Sequence, residues 1–334
     1  MRRFRIHPQP STTGQHRSLG PSSFQPGECG FSSASTSRRE PFTAAHLDLT
    51  PFTVAAADGI RLSASQIGPT SAPASVVYVH GILTDSTYWR PLAGYLHQRL
   101  DGGIAQIVYD QRGYGSFKES DPGAETTLST LVDDLDAVLA HAHGAVVLVA
   151  HSVASLLVQA WAERYPRLAR ALAGVVLFNG CPALPWLTTV SDAARTSKRS
   201  RRRESRLVEE LRSHLHEPPA RYGLPRRSVC AEVGPSRATA NLEATLAAYG
   251  STTLSSEIAS IMRSVPTWVL TGELDPVVAP SRSRYLAEHI WGDYDSVPGA
   301  GHSLPHTHPA AASEPVLAAL EVAYRTHQQD GGPL

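Results

Sequence analysis

The stretch VVLVAHSVASLLVQAW, residues 146–161, decides the fold. Its first half, AVVLVA (145–150), is an apolar, β-branched run of strand length. Its second half, ASLLVQAWAERYP (154–166), has helical character and stops at Pro166. A buried strand followed almost at once by a helix needs a very tight turn, and only small side chains fit around one. Ala150, Ala154 and Ser155 are small, and they flank His151-Ser152-Val153. The turn therefore reads as a device for holding the Ser152 hydroxyl out at the carboxyl end of a strand, against the plainer reading of a serine in a strand-to-helix loop.

The same rhythm extends on both sides. LTPFTVAAADGIRLSASQIG (49–68) reads as two strands joined at Asp58-Gly59, a short-loop hairpin signal. SVVYVHG (75–81), IAQIVYDQRGYG (104–115), LAGVVLFNG (172–180) and TWVLTGELD (267–275) read as strands, with DYDSVPGAGH (293–302) as a weaker one. Helices are expected over 86–99, over 127–142, where Leu128, Leu131, Leu135, Val138 and Leu139 recur at helical spacing, and from Ala311 to Arg325. Continuous apolar strands alternating with helices predict a mostly parallel, doubly wound α/β sheet of about eight strands, covered on both faces. Ligands of such sheets lie at the carboxyl ends of the strands.

Two segments break the rhythm. Residues 1–46 are rich in Ser, Pro, Gly and Arg and lack apolar periodicity, which predicts a disordered tail. Residues 182–264 are too long for a bare loop and carry helical patches around 204–215 and 240–262, so they predict a helical lid inserted between core segments 47–181 and 265–330. Within this insertion RTSKRSRRRESR (195–206) reads first as a solvated segment and second as a localisation signal or a contact for an anionic surface.

Composition limits the function classes. Thirty Lys and Arg balance thirty Asp and Glu, so nothing global favours nucleic acid or another anionic polymer as a partner. Three cysteines, Cys29, Cys181 and Cys230, form neither a CxxC pair nor a disulfide framework, and point to a reducing, cytoplasmic setting. No apolar run is long enough for a membrane span, and the basic N-terminus lacks the apolar segment of a secretory signal. Oligomeric state is not legible.

Polar residues stand where the strands end: HGIL after the first long strand, DQRGYG after the next, AHSVA after the third, then Asp275 and His302. On these residues the sequence resembles the α/β-hydrolase family over roughly residues 50–327, whose nucleophile motif is G-x-S-x-G and whose triad runs Ser, acid, His. Here the order is Ser152, Asp275, His302, with alanine in place of both motif glycines. The resemblance implies Ser152 as nucleophile, His302 as the base that takes its proton, and Asp275 as the carboxylate that orients the imidazole. Asp275 is preferred over Glu273 for its spacing past Thr271-Gly272, and His302 over His306 and His308 because it follows a glycine. The three histidines also raise a metal site, but no Cys or acidic set at ligand spacing accompanies them, so no metal is expected.

The resemblance further implies an oxyanion hole made by the N–H groups of Ile82 and Val153, with His80 shaping the first loop and Asp110, Arg112, Gly113 and Gly115 forming an architectural turn. Trp89, packed beside the oxyanion loop, and Trp186, within the apolar PALPWL patch, are the candidate substrate-pocket residues, suited to a small or medium apolar group. The implied activity is a cofactor-free serine esterase acting on a small acyl compound. Thioesterase, lactonase, carbon–carbon bond hydrolase and acyltransferase chemistry use the same parts. A non-catalytic binding protein on the same scaffold is the alternative of a different class, raised by the alanine-for-glycine changes.

Overall fold

A computed structural model of the chain describes residues 47–82, 84–115, 126–184 and 244–329. The expected tail (1–46), most of the expected lid (185–243), the run 195–206 and Trp186 lie outside the described residues. Eight strands form one sheet in the order β1-β2-β4-β3-β5-β6-β7-β8. They are β1 (Thr50–Ala55), β2 (Arg61–Ile67), β3 (Ala74–Val79), β4 (Ala105–Tyr109), β5 (Ala145–His151), β6 (Gly174–Phe178), β7 (Thr267–Gly272) and β8 (Asp293–Val297). β1 and β2 make the hairpin read around Asp58-Gly59, and β2 pairs antiparallel with β4. From β4 to β8 every pairing is parallel.

The helices are α1 (Arg90–Arg99), α2 (Leu128–Leu139), α3 (Ala154–Arg164), α4 (Pro166–Ala171), α5 (244–250), α6 (Ser256–Met262), α7 (Pro280–Ile290), α8 (Leu304–Thr307) and α9 (Pro309–Gln329), with a 3-10 turn at Ser86–Trp89 before α1. Two apolar layers sandwich the sheet, and the two-residue period of the strands sorts side chains between them. Val77, Val79, Leu148, Ala150, Val175 and Leu177 face the layer built with α2, α3 and α7. Val76, Tyr78, Val147, Val149, Val176 and Phe178 face the layer built with α1 and α9. Both faces being covered explains why these strands read as continuous apolar runs rather than alternating ones.

The described end of the 182–264 stretch is part of the main packing. Leu246, Tyr249, Ile258, Ile261 and Met262 join the same layer as α3, and Ala183 bridges Thr253. The buried apolar positions between 246 and 262 thus pack with the core, in a stretch that the sequence groups with the insertion.

The DQRGYG turn braces α2 to the first hairpin. Arg112 holds both oxygens of Asp134 on α2, at 2.6 Å each, and reaches Asp58 of the first hairpin at 2.7 Å. Such a buried fork fixes direction as well as distance. Gly115 closes the turn at φ +67°, where a Cβ would sit 1.9 Å from Asp110 Oδ2, so only glycine fits.

Candidate functional site

β5 ends at His151, and the chain then turns through Ser152, whose φ is +59°. A non-glycine residue in the left-handed region costs about 1–2 kcal/mol and is kept only where the surroundings impose it. They do so here. Ser152 N–H donates to Phe178 O on β6 at 2.8 Å, and Ser152 O accepts from Ser155 N–H at 3.0 Å as α3 begins. Ala150 and Ala154 are both completely buried at this corner. Alanine is therefore small enough to close the bend between strand and helix.

The His302 loop is held against the end of β7. Leu274 N–H donates to Ala300 O at 2.9 Å, and a Cβ on Gly272 would lie 2.3 Å from Gly301 O. Across this contact His302 Nδ1 lies 2.8 Å from Asp275 Oδ2. Because the carboxylate only accepts, Nδ1 carries the proton and Nε2 is left as the basic nitrogen. Glu273, the rival acid, accepts instead from Gly299 N–H at 3.3 Å.

Asp275 is almost fully buried, and its carboxylate has a full set of donors. Oδ1 accepts from Val277 N–H at 2.8 Å and Val278 N–H at 3.0 Å. Oδ2 accepts from His302 and from the Asn179 side-chain amide. Burial works to raise the carboxyl pKa, but the imidazole at 302 and the backbone donors outweigh it and hold it below the ordinary value. Asn179 stands just past β6 at φ +51°. Nothing local in the sequence marks this asparagine as a partner of the acid.

His151 joins the two halves of the site. Its Nε2 donates to His302 O at 2.8 Å, its ring lies 4.7 Å from the His302 ring, and Tyr88 stacks on it at 4.7 Å. Burial, and then the neighbouring His302 imidazole, push its pKa down to about 3, so the ring is neutral at neutral pH. Gly81 abuts the same corner: a Cβ there would lie 3.0 Å from His151 Nδ1 and 3.4 Å from Ser152 Cβ. The structure thus gathers Gly81 with Ile82, His151 with Ser152 and Val153, and Asp275 with His302 at the carboxyl ends of β3, β5, β7 and β8.

Trp89 is fully buried against Tyr78, Tyr88 and Phe178, in the apolar layer beneath this site. Cys181 is buried nearby, and burial pushes its thiol up to about 12, so it is no nucleophile at neutral pH. Among the described residues no group of three or more His, Cys, Asp or Glu is placed to hold a metal ion, and no helix is long and apolar enough to cross a membrane.

A model of the alpha/beta hydrolase family matches residues 76–314, well over half of the sequence. The chain belongs to the alpha/beta hydrolase family. Solved members of this fold are similar at low identity. A thermophilic esterase from Thermogutta terrifontis shares 22% identity with a TM-score of 0.60, covering 82% of this chain and 99% of its own. A putative aryl esterase from Burkholderia cenocepacia shares 20% identity with a TM-score of 0.56, over 82% and 99%. A bromoperoxidase from Bacillus anthracis shares 18% identity with a TM-score of 0.55, over 81% and 100%. None of the curated proteins matches the sequence. These neighbours show the shared fold; it is membership of the alpha/beta hydrolase family that points to a hydrolase, and the bond it cleaves is a separate question.

Proposed function

We propose that this hydrolase cleaves a carboxylic ester or related acyl compound through an acyl-enzyme. The observation that carries the reading is the Asp275–His302 pair, in which a charged, fully hydrogen-bonded carboxylate sets the imidazole tautomer with Nε2 as base. Ser152, on a strained turn beside it, is the nucleophile. Ser152 Oγ attacks the acyl carbon while His302 Nε2 takes its proton. The carbonyl oxygen becomes an oxyanion held by Ile82 N–H and by Val153 N–H, at the start of α3, where helix geometry leaves backbone donors without intrahelical partners. Collapse expels the alcohol, which receives the proton from His302. Water then repeats the sequence on the acyl-enzyme and regenerates Ser152. Asp275 stays ionised throughout and stabilises the imidazolium.

In this reading the part of the 182–264 insertion outside that core packing selects the substrate, with Trp186 at an apolar acyl or alcohol group. A fluorophosphonate probe tests the centre. Wild type is expected to label covalently and Ser152→Ala not to label at all. A folded wild-type protein that resists the probe, or equal labelling of the variant, overturns the assignment. A panel of esters of graded acyl length, run with thioester counterparts, then separates esterase from thioesterase.

A further inference from the structure

The oxyanion role assigned to Ile82 N–H requires the Gly81–Ile82 peptide to hold one orientation. In a trans peptide the C=O and the following N–H point in opposite directions, so whatever fixes the Gly81 carbonyl also aims the Ile82 N–H. That carbonyl accepts two hydrogen bonds, from His80 Nδ1 at 2.8 Å and from Thr84 Oγ1 at 2.9 Å. His80 is completely buried. With Nδ1 donating, its Nε2 is an acceptor, and it takes Gln111 N–H at 3.0 Å. Both ring nitrogens are thus used, and one tautomer satisfies both.

The chain of bonds continues outward. Gln111 Nε2 donates to His80 O at 2.5 Å, and Gln111 Oε1 accepts from the Tyr249 hydroxyl at 2.6 Å. The amide orientation is therefore consistent at both ends. Tyr249 is buried on α5, 138 residues along the chain from Gln111. The same helix makes a parallel tie: Thr245 Oγ1 accepts from Tyr114 OH at 3.2 Å, and the Tyr114 ring meets His80 edge-on at 5.4 Å. Any buried hydroxyl needs a partner; what distinguishes this one is that its partner, Gln111, is itself bonded to His80 through both its backbone N–H and its side-chain amide.

We propose that Tyr249, acting through Gln111 and His80, is a positioning residue for the oxyanion loop, holding the Gly81–Ile82 peptide in the orientation that turnover needs. The proposal rests on the serine-hydrolase reading for its kinetic consequence but not for its structural one. Tyr249 touches no reacting atom, and its effect is on how often the loop is competent. Freed from its hydroxyl, Gln111 can release the His80 carbonyl, and of the two donors to the Gly81 carbonyl the His80 ring is no longer held in place while Thr84 remains.

The test uses the full chain with Tyr249→Phe, which removes one oxygen, and Gln111→Glu, which keeps an acceptor for Tyr249 but loses the donor to His80 O. Two quantities are measured: exchange of the Gln111 amide, held by His80 Nε2, and steady-state kinetics on a p-nitrophenyl ester. For Tyr249→Phe we expect about tenfold faster Gln111 exchange, kcat lower by about tenfold and KM within about twofold, the size of one lost hydrogen bond. Phosphonylation by the fluorophosphonate should slow in step with kcat. Unchanged exchange overturns the coupling. Faster exchange with unchanged kcat, or an equal rise in KM, overturns the positioning role. Should Gln111→Glu fail to fold, Tyr249→Phe alone decides. If wild type neither hydrolyses esters nor labels, the hydrolase reading falls while the exchange result still decides whether Tyr249 holds the loop.

Discussion

Acid should destabilise this protein through His151 by an amount that can be worked out. The ring is 2% exposed, stacked on Tyr88, and bonded through Nε2 to the His302 carbonyl at 2.8 Å. Its Nδ1 is buried without a hydrogen-bond partner, beside Gly81. Burial, and then the neighbouring His302, disfavour the charged ring and lower its pKa to about 3. In the unfolded chain the pKa is about 6.5, so between the two values the unfolded state binds more protons than the folded state. The folded state is therefore unpenalised above about pH 6.5 and loses about 1.4 kcal/mol for each pH unit below it. From pH 6.5 to 4.5 the loss is about 2.7 kcal/mol. His151→Gln keeps an amide N–H for the His302 carbonyl and removes the titration. Urea unfolding of both proteins at pH 7.5 and pH 4.5 isolates the effect, since His80 and His306, whose pKa values are also lowered by burial, titrate in both and cancel in the difference. Wild type should lose about 2–3 kcal/mol more than the variant over that interval. An equal loss in the two proteins would refute the claim that this ring is buried neutral.

Three further outcomes follow from the site. Ser152→Gly should be inactive yet more stable than Ser152→Ala by about 0.5–1 kcal/mol, because glycine accepts φ +59° without strain; the reverse order in thermal unfolding would show that the turn is relaxed. Asp275→Asn should cut kcat by about 10⁴, since its amide donors would face Asn179 and His302 and favour the wrong imidazole tautomer; a near-wild-type rate would remove Asp275 from the mechanism. Gly81→Ala puts a Cβ 3.0 Å from His151 Nδ1 and should lower kcat well over tenfold while costing only about 1–3 kcal/mol of stability; a fully active variant would mean that the loop does not serve the oxyanion.

What the sequence reveals and conceals follows from how each feature is encoded. β5, the Ser152 turn and α3 are contiguous, so apolar runs and small residues disclose them directly. β8 is harder, because it is the edge strand: none of its five residues is fully buried, and DYDSV carries two acids. Asn179 and Asp275 lie 96 residues apart, and Gln111 and Tyr249 are farther still. Neither pair has a periodic signature, since a single buried hydrogen bond leaves no pattern along the chain. Residues 244–264 show the opposite difficulty. Their apolar positions are plain, but nothing local states that they pack on α3 rather than on an inserted unit.

The acid also indicates how the site resists its own burial. A carboxylate withdrawn from water is driven toward its neutral form unless donors replace the lost solvation. Here three of the four donors come from elements other than the His302 loop: two backbone amides of the turn after β7, and the Asn179 amide at the end of β6. The scaffold thus supplies most of the hydrogen bonds, while the His302 imidazole contributes the largest single stabilisation of the charge. The same reasoning applies across the site, where Gly81 O is fixed by His80 and Thr84 independently of any substrate. In the proposed mechanism both the base and the oxyanion peptide are thus oriented in advance by bonds on their far sides, which would leave Nε2 and Ile82 N–H to act on the acyl group.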